Sequence, residues 1–524
     1  MAQGLVQGLM WGLALVAAVA VYELLRFSVL RRVRVRLERS VSRYLARHDV
    51  RLDRFKFTQK AYLREALLAD PELNEFLAIC CRERGEPLLE GVARVEEYID
   101  EIVPAFNLVS YYKLGYGIAR PLMKALYAVE FRPANLAASD EALKDGVATV
   151  YVMNHRSNAD YVLFAVCMSR RIALSYAVGE WARVWPLDAL FRSFGSYFVR
   201  RGEKDPLYHK TLQRYIQMVS RGGLTQGIFL EGGLSRDGRF RSPKVGLLDS
   251  LLGVTDDGGD VQFVPVGLNF DRVLEDTRLL AEAGGELSAP DAASKARSLF
   301  WVFATLPLAV LSRLSAMVVG AWQVARGTNP GFGVAAVHAG APVSLRAWLG
   351  EERLATLREL PREERRPVLQ ELAEELMVRI GAQVPVTAVP LACRAMEWAI
   401  AEGEGTEAAV IQHATRLLDG LRSGGAPVLL GPAFAELRGE RAALDDEASA
   451  AGRPLLELTA DLVTGDEARR AWEVARAMLE EREALRVEGG RFELLGPGAA
   501  LVGYYAASLD GHPAARGPHE PVAC

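Results

Sequence analysis

One stretch constrains this chain more than any other. Residues 149–161 read Thr-Val-Tyr-Val-Met-Asn-His-Arg-Ser-Asn-Ala-Asp-Tyr. The apolar, β-branched run 148–153 stops at Asn154. His155, Ser157 and Asp160 follow, and a second apolar run covers 161–168. The first run predicts a short buried strand and the second the start of a buried helix. A histidine and a carboxylate five residues apart then stand at the C-terminal end of a strand, the rim where α/β folds usually bind ligands.

The texture around this stretch supports an α/β class. Strand-like runs at 147–153, 172–177, 195–200, 227–231 and 261–270 alternate with helical segments, notably 205–220. That alternation implies a largely parallel or mixed central sheet. Residues 331–344 return to strand character and are expected to close the sheet. From 40 to 131 the pattern is helical, with Arg and Glu interleaved among Leu, Ala and Val. After 345 it is helical again, over 354–382 and 408–421, and the end from Gly511 reads as frayed. The expected organisation is a membrane anchor and basic tract at 1–40, a helical region at 41–140, a catalytic domain at 141–350 and a C-terminal helical region at 351–524.

Residues 4–22 carry no charge and are nearly all apolar, about the 20 residues that a bilayer-spanning helix needs. Arg26, Arg31, Arg32, Arg34, Arg36 and Arg39 follow it. Positive charge after the apolar run, rather than before it, predicts an uncleaved anchor with the bulk of the protein on the cytoplasmic face. A second apolar block, 298–322, contains Pro307 and Arg313 and reads as interfacial or re-entrant. The net charge of −4 offers no general attraction to nucleic acid. The five cysteines form no CxxC pair and read as reduced thiols.

His-x4-Asp occurs twice, at His155…Asp160 and His48…Asp53. His48 lies in a solvated charge cluster with no strand before it, so only His155 has the setting of a base. Even there, a lone histidine is more often structural than catalytic. Three further blocks near strand ends tip the balance. In 194–202 an apolar run ends in paired Arg200 and Arg201, whose forked donors suit phosphate. In 227–239 a strand ends at Glu231 and glycines follow, so backbone can approach a ligand closely. In 264–275 Pro265 sits inside a strand, which marks an edge or a bulge. Taken singly, these are a surface basic pair, a polar turn and a strand irregularity.

Together and in order, the four blocks resemble the glycerolipid acyltransferase superfamily. Its pattern runs Asn-His-x4-Asp, Gly-x-x-Phe-[apolar]-Arg-Arg, Phe-x-Glu-Gly-x-Arg-Ser and [apolar]-Pro-[apolar]. Within that superfamily the chain looks most like the glycerol-3-phosphate and dihydroxyacetone-phosphate acyltransferases. The Glu-Gly-Gly-x-Ser-Arg form of block three and the Asp271-Arg272-Val-Leu-Glu275 continuation of block four point there. The resemblance covers most of 51–425 and is strongest over 147–275.

The resemblance implies a membrane-bound enzyme that transfers a fatty acyl chain from a thioester to the sn-1 hydroxyl of glycerol 3-phosphate. His155 would take the hydroxyl proton and Asp160 would orient the imidazole, with no acyl-enzyme. Arg200, Arg201 and Arg236 would hold the acceptor phosphate. Glu231, Gly232 and Ser235 would shape the acceptor pocket, with Ser157 in the same group. Pro265 would lie near the donor's path, and Asn154 or helix-start N–H groups would steady the oxyanion. No metal or cofactor is expected; acyl-CoA or acyl carrier protein is a co-substrate. The implied partners are that thioester, a phosphorylated glycerol-type acceptor and membrane lipid, with no nucleic acid. The chain departs from the pattern at Leu234, where the family has arginine, which weakens the tie to a phosphorylated acceptor. The competing readings are a dihydroxyacetone-phosphate or lysophosphatidic acid acyltransferase, and a non-catalytic membrane protein on this scaffold.

Overall fold

The structure, a computed structural model, describes residues 60–106, 110–133, 147–179 except 170 and 173, 191–284 except 201 and 257, 331–431, 434 and 456–516, with isolated positions between 32 and 43. The anchor at 4–22, the block at 298–322, His48, Arg201 and Cys524 lie outside these residues. No helix among the described residues is long and apolar enough to cross a membrane.

An eight-stranded mixed sheet organises the chain. Its strands are β1 (Ala128–Pro133), β2 (Ala148–Met153), β3 (Ser175–Gly179), β4 (Tyr197–Val199), β5 (Gln226–Phe229), β6 (Val261–Phe270), β7 (Val334–Ala339) and β8 (Val343–Ser344). The order is β1-β7-β6-β2-β5-β3-β4, with β8 paired to β6. β2 runs parallel to both β5 and β6, so three strand C-termini lie side by side at one rim. β7 and β8 run antiparallel to β6.

Side-chain alternation along β2 divides the core. Ala148, Val150 and Val152 face one apolar cluster, built with the helices Pro71–Arg84, Leu88–Ile102, Pro206–Arg221 and Arg362–Gln383. Tyr151 and Met153 face the other, built with Asp160–Met168, Ala388–Ala401, Glu407–Ser423, Leu456–Glu481 and Gly498–Ala506. Both faces of the sheet are covered, as a largely parallel sheet requires. The helix Arg362–Gln383 lies close on β6: a Cβ at Gly267 would sit 2.1 Å from the Gln383 carbonyl oxygen.

Pro265 occupies the middle of β6, opposite Val152 of β2. The partners on its other side are β7, which ends at Ala339, and β8, which begins at Val343. Pro265 therefore falls where the ladder is interrupted. Its carbonyl still accepts from the Gly340 N–H at 2.8 Å, while its missing N–H costs nothing.

The α/β expectation holds, with differences of detail. The span 128–133 joins the sheet beside β7, although its sequence reads as the end of a helical region. The 331–344 segment forms two short antiparallel strands rather than one closing strand. The 354–382 pattern divides into Glu351–Glu359 and Arg362–Gln383, because Pro361 stops the first helix. The C-terminal region contains an antiparallel hairpin, β9 (Leu485–Glu488) and β10 (Arg491–Leu494). Residues 512–515, expected to fray, are anchored: His512 and Ala515 are buried, and the His512 ring bonds the Val384 carbonyl.

Candidate active site

The loop 154–160 leaves β2 at the rim and turns into the helix Asp160–Met168. Asp160, fully buried, organises it. Its Oδ2 accepts from the backbone N–H of Arg156 at 2.7 Å and of Ser157 at 2.9 Å. The same oxygen meets Nδ1 of His155 at 2.9 Å. An oxygen already accepting two N–H groups has no proton to offer, so Nδ1 carries the hydrogen and Nε2 keeps its lone pair. The imidazole is 13% exposed. It stacks on Phe229 with centroids 4.1 Å apart, and Phe229 stacks in turn on Tyr176.

Two more carboxylates hold the loop from neighbouring strands. Glu231, just after β5, accepts the His155 backbone N–H on Oε1 and the Arg241 backbone N–H on Oε2, each at 2.9 Å. Glu275, beyond β6, accepts from the Ser157 hydroxyl at 3.0 Å and the Asn158 backbone N–H at 2.5 Å. Burial pushes both carboxyls above the ordinary glutamate range, and their hydrogen bonds partly offset it. Burial raises the neighbouring Asp271 to about 6. Asp271 accepts from the backbone N–H groups of Val334 and Val389 at 2.8 and 2.9 Å.

A clamp from the far end of the chain closes over this loop. Arg156, 4% exposed, donates to the carbonyls of Gly238 and Tyr504, both at 3.2 Å. Its guanidinium lies 5.0 Å from the centroid of the Tyr504 ring, and the Tyr504 hydroxyl donates back to the Arg156 carbonyl at 3.3 Å. A Cβ at Gly238 would overlap the Tyr504 carbonyl oxygen, so a side chain there would push the C-terminal helix away. Arg482 grips Asp276 with both Nη atoms, and Tyr505 bonds the same carboxylate.

The expected site residues divide accordingly. His155, Asp160, Ser157, Glu231 and Ser235 come together at the rim. Ser235 donates its N–H to the His155 carbonyl at 2.9 Å and its hydroxyl to the Arg239 carbonyl at 2.7 Å. Gly232 turns the chain at φ +64°, against the Lys244 stem.

Asn154 is a correction to the oxyanion reading. Its amide donates to the Leu268 carbonyl and accepts the Leu268 N–H, at 2.9 and 2.8 Å, fastening β2 to β6. The N–H groups of residues 156–160 are likewise bonded within the site. Arg200 is a second correction. Glu101 takes two of its donors and Glu203 a third, at 2.6–2.9 Å, so two carboxylates already neutralise it. Arg236 pairs with Glu282 at 3.0 Å, and Arg201 lies outside the described residues. Leu234 packs on the apolar core instead of facing an anion.

Glu275 and Arg156 are the positioning residues that the sequence reading passed over. The available signal was their place inside the blocks at 154–160 and 264–275.

The rim lies in an α/β domain whose residues 136–269 match an acyltransferase family model. A second model, the glycerol-3-phosphate acyltransferase C-terminal region, matches 319–432. Curated relatives agree. The glycerol-3-phosphate acyltransferase of Aeromonas hydrophila subsp. hydrophila is 26% identical over 373 residues, 69% of this chain and 42% of that protein. Its counterpart from Shewanella woodyi is 27% identical over 319 residues, 58% of this chain and 35% of that protein. The chain is thus similar to glycerol-3-phosphate acyltransferases over two separate stretches, 136–269 and 319–432. The chain spans less than half the length of the curated relatives it matches. Among solved structures, the 1-acyl-sn-glycerophosphate (LPA) acyltransferase PlsC from Thermotoga maritima aligns at a TM-score of 0.27 with 16% identity, covering 51% of this chain and 81% of that one.

Proposed function

We propose that the chain transfers a fatty acyl group from an acyl thioester to the sn-1 hydroxyl of glycerol 3-phosphate, yielding lysophosphatidic acid. The observation that carries this reading is the 2.9 Å His155–Asp160 pair at the C-terminal rim of the sheet, inside the region matched by the acyltransferase model. Nε2 of His155 takes the acceptor's hydroxyl proton as that oxygen attacks the thioester carbonyl. The tetrahedral intermediate collapses with loss of thiolate, which recovers the proton from the imidazolium. Asp160 keeps Nδ1 protonated throughout and stabilises the charged ring. The acyl donor is acyl-CoA or acyl carrier protein. The basic tract after residue 25 supports action at the cytoplasmic membrane face, where the lipid product partitions.

Leu234 favours one alternative, an acceptor other than glycerol 3-phosphate. The test is an acyl-transfer assay of the full chain with glycerol 3-phosphate, dihydroxyacetone phosphate and lysophosphatidic acid side by side. Glycerol 3-phosphate is expected to give the highest kcat/KM. A preference for either other acceptor overturns the assignment, and transfer to none of them favours a non-catalytic protein.

A further inference from the structure

A second cluster lies away from the rim, at the junction of the helices Ala388–Ala401 and Glu407–Ser423. Gly403, at φ +76°, turns the chain between them and brings Glu402 and Glu404 over His413. His413 is 1% exposed. Its Nε2 is buried and has no hydrogen-bond partner among the described residues. The nearest acceptors are carboxylate oxygens of Glu402 at 3.5 Å and Glu404 at 3.6 Å. The indole N–H of Trp398 is also buried without a partner, and its ring lies 6.3 Å from that of His413.

The distances separate two explanations. A charge-assisted N–H···O bond closes to about 2.7–2.9 Å, and both contacts are well beyond that. Two ligands bound to one tetrahedral zinc at about 2.0–2.1 Å lie about 3.3–3.4 Å apart, close to what is seen. The three candidate ligand atoms all fall within 4.8 Å of one another. Two carboxylates and a neutral imidazole supply charge −2 and a mixed N/O donor set, which suits zinc better than calcium or magnesium.

We propose that Glu402, Glu404 and His413 hold one divalent transition-metal ion, zinc by preference, which staples the two helices together. Three protein ligands leave a fourth position for water. The other end of Ala388–Ala401 is seated on Asp271, through the Val389 N–H. Fourteen helical residues place the staple about 20 Å from there. Its role is therefore structural, and it takes no part in acyl transfer.

The test uses the full chain, stripped with chelator and dialysed against zinc chloride. Wild type should retain one zinc per chain and gain several degrees in Tm. The exposed double variant Glu402→Gln/Glu404→Gln should lose at least nine-tenths of the bound zinc and the Tm gain, while keeping acyl-transfer activity. His413→Gln should behave the same way if it folds; the double variant decides if it does not. Cobalt(II) in place of zinc should give the intense visible bands of a four-coordinate site in wild type alone. Wild type without bound zinc, or variants that retain it, overturns the proposal. A wild-type Tm that follows pH but ignores zinc also overturns it, and marks the cluster as an imidazolium–carboxylate pair.

Discussion

At the residue scale, the site is governed by buried carboxylates acting on backbone. Asp160 fixes the histidine tautomer because one oxygen receives three groups at once. Glu275 holds the Ser157 hydroxyl and the Asn158 N–H. Glu275→Ala should therefore lower kcat on the order of tenfold to a hundredfold through misplacement of the loop, with KM nearly unchanged, in steady-state kinetics. Asp271 gives a pH-dependent stability. Its folded pKa, about 6, exceeds the ordinary value of about 3.9, so the folded state binds the proton more tightly. The resulting stabilisation is complete below the ordinary value and is lost as pH rises through about 6. It amounts to about 3 kcal/mol. Melting curves between pH 4 and 7 should show this decline in wild type, while Asp271→Asn, which has no proton to lose, should show a flatter profile. The placement of His155, Asp160 and Glu231 at one rim was legible because their context is local in sequence. The role of Glu275 was not, because its partners lie 117 and 118 residues away. The neutralisation of Arg200 was hidden for the same reason: Glu101 sits on a helix whose packing no local pattern reveals.

At the scale of elements, the 154–160 loop is held between a turn and a distant helix. Arg156 joins the Gly238 turn to the helix Gly498–Ala506, and Arg482 joins that region to the helix Asp276–Ala283. Arg156→Met leaves two buried carbonyls without a donor, a cost of about 1–3 kcal/mol each. Thermal unfolding should show the loss, and kcat should fall even where the variant remains folded. Gly267→Ala tests the other face. A methyl there meets the Gln383–Val384 backbone at 2.1–2.3 Å, so β6 and the helix Arg362–Gln383 must separate. Denaturant unfolding should register about 1–3 kcal/mol of destabilisation. The strands β2 and β6 were readable as apolar runs bounded by polar turns. The pairing of β1 with β7 was not, because 206 residues separate Val129 from its partner Ala335, and a short run next to a helix carries no period of its own.

At the scale of the whole molecule, the C-terminal segment shares its core with the strand that carries the His155 rim. Trp472, Leu479, Leu501, Tyr504 and Tyr505 belong to the same buried cluster as Tyr151 and Met153 of the central strand. The family model matches end at residue 432, so this cover lies beyond them. A chain ending at 431 should expose that apolar face, bind a hydrophobic dye and lose acyl transfer, whereas a separable appendage would leave activity intact. The α/β class and the rim that carries His155 were visible in the order of the blocks. The three-layer arrangement was not, since amphipathic helices do not state which face of a sheet they cover. The most direct test of the central claim is acyl transfer to glycerol 3-phosphate by His155→Ala in the full chain, with wild type alongside. The account predicts a rate lower by about 10²–10⁴ with an unchanged melting temperature. A variant that keeps its fold and transfers at the wild-type rate would contradict it.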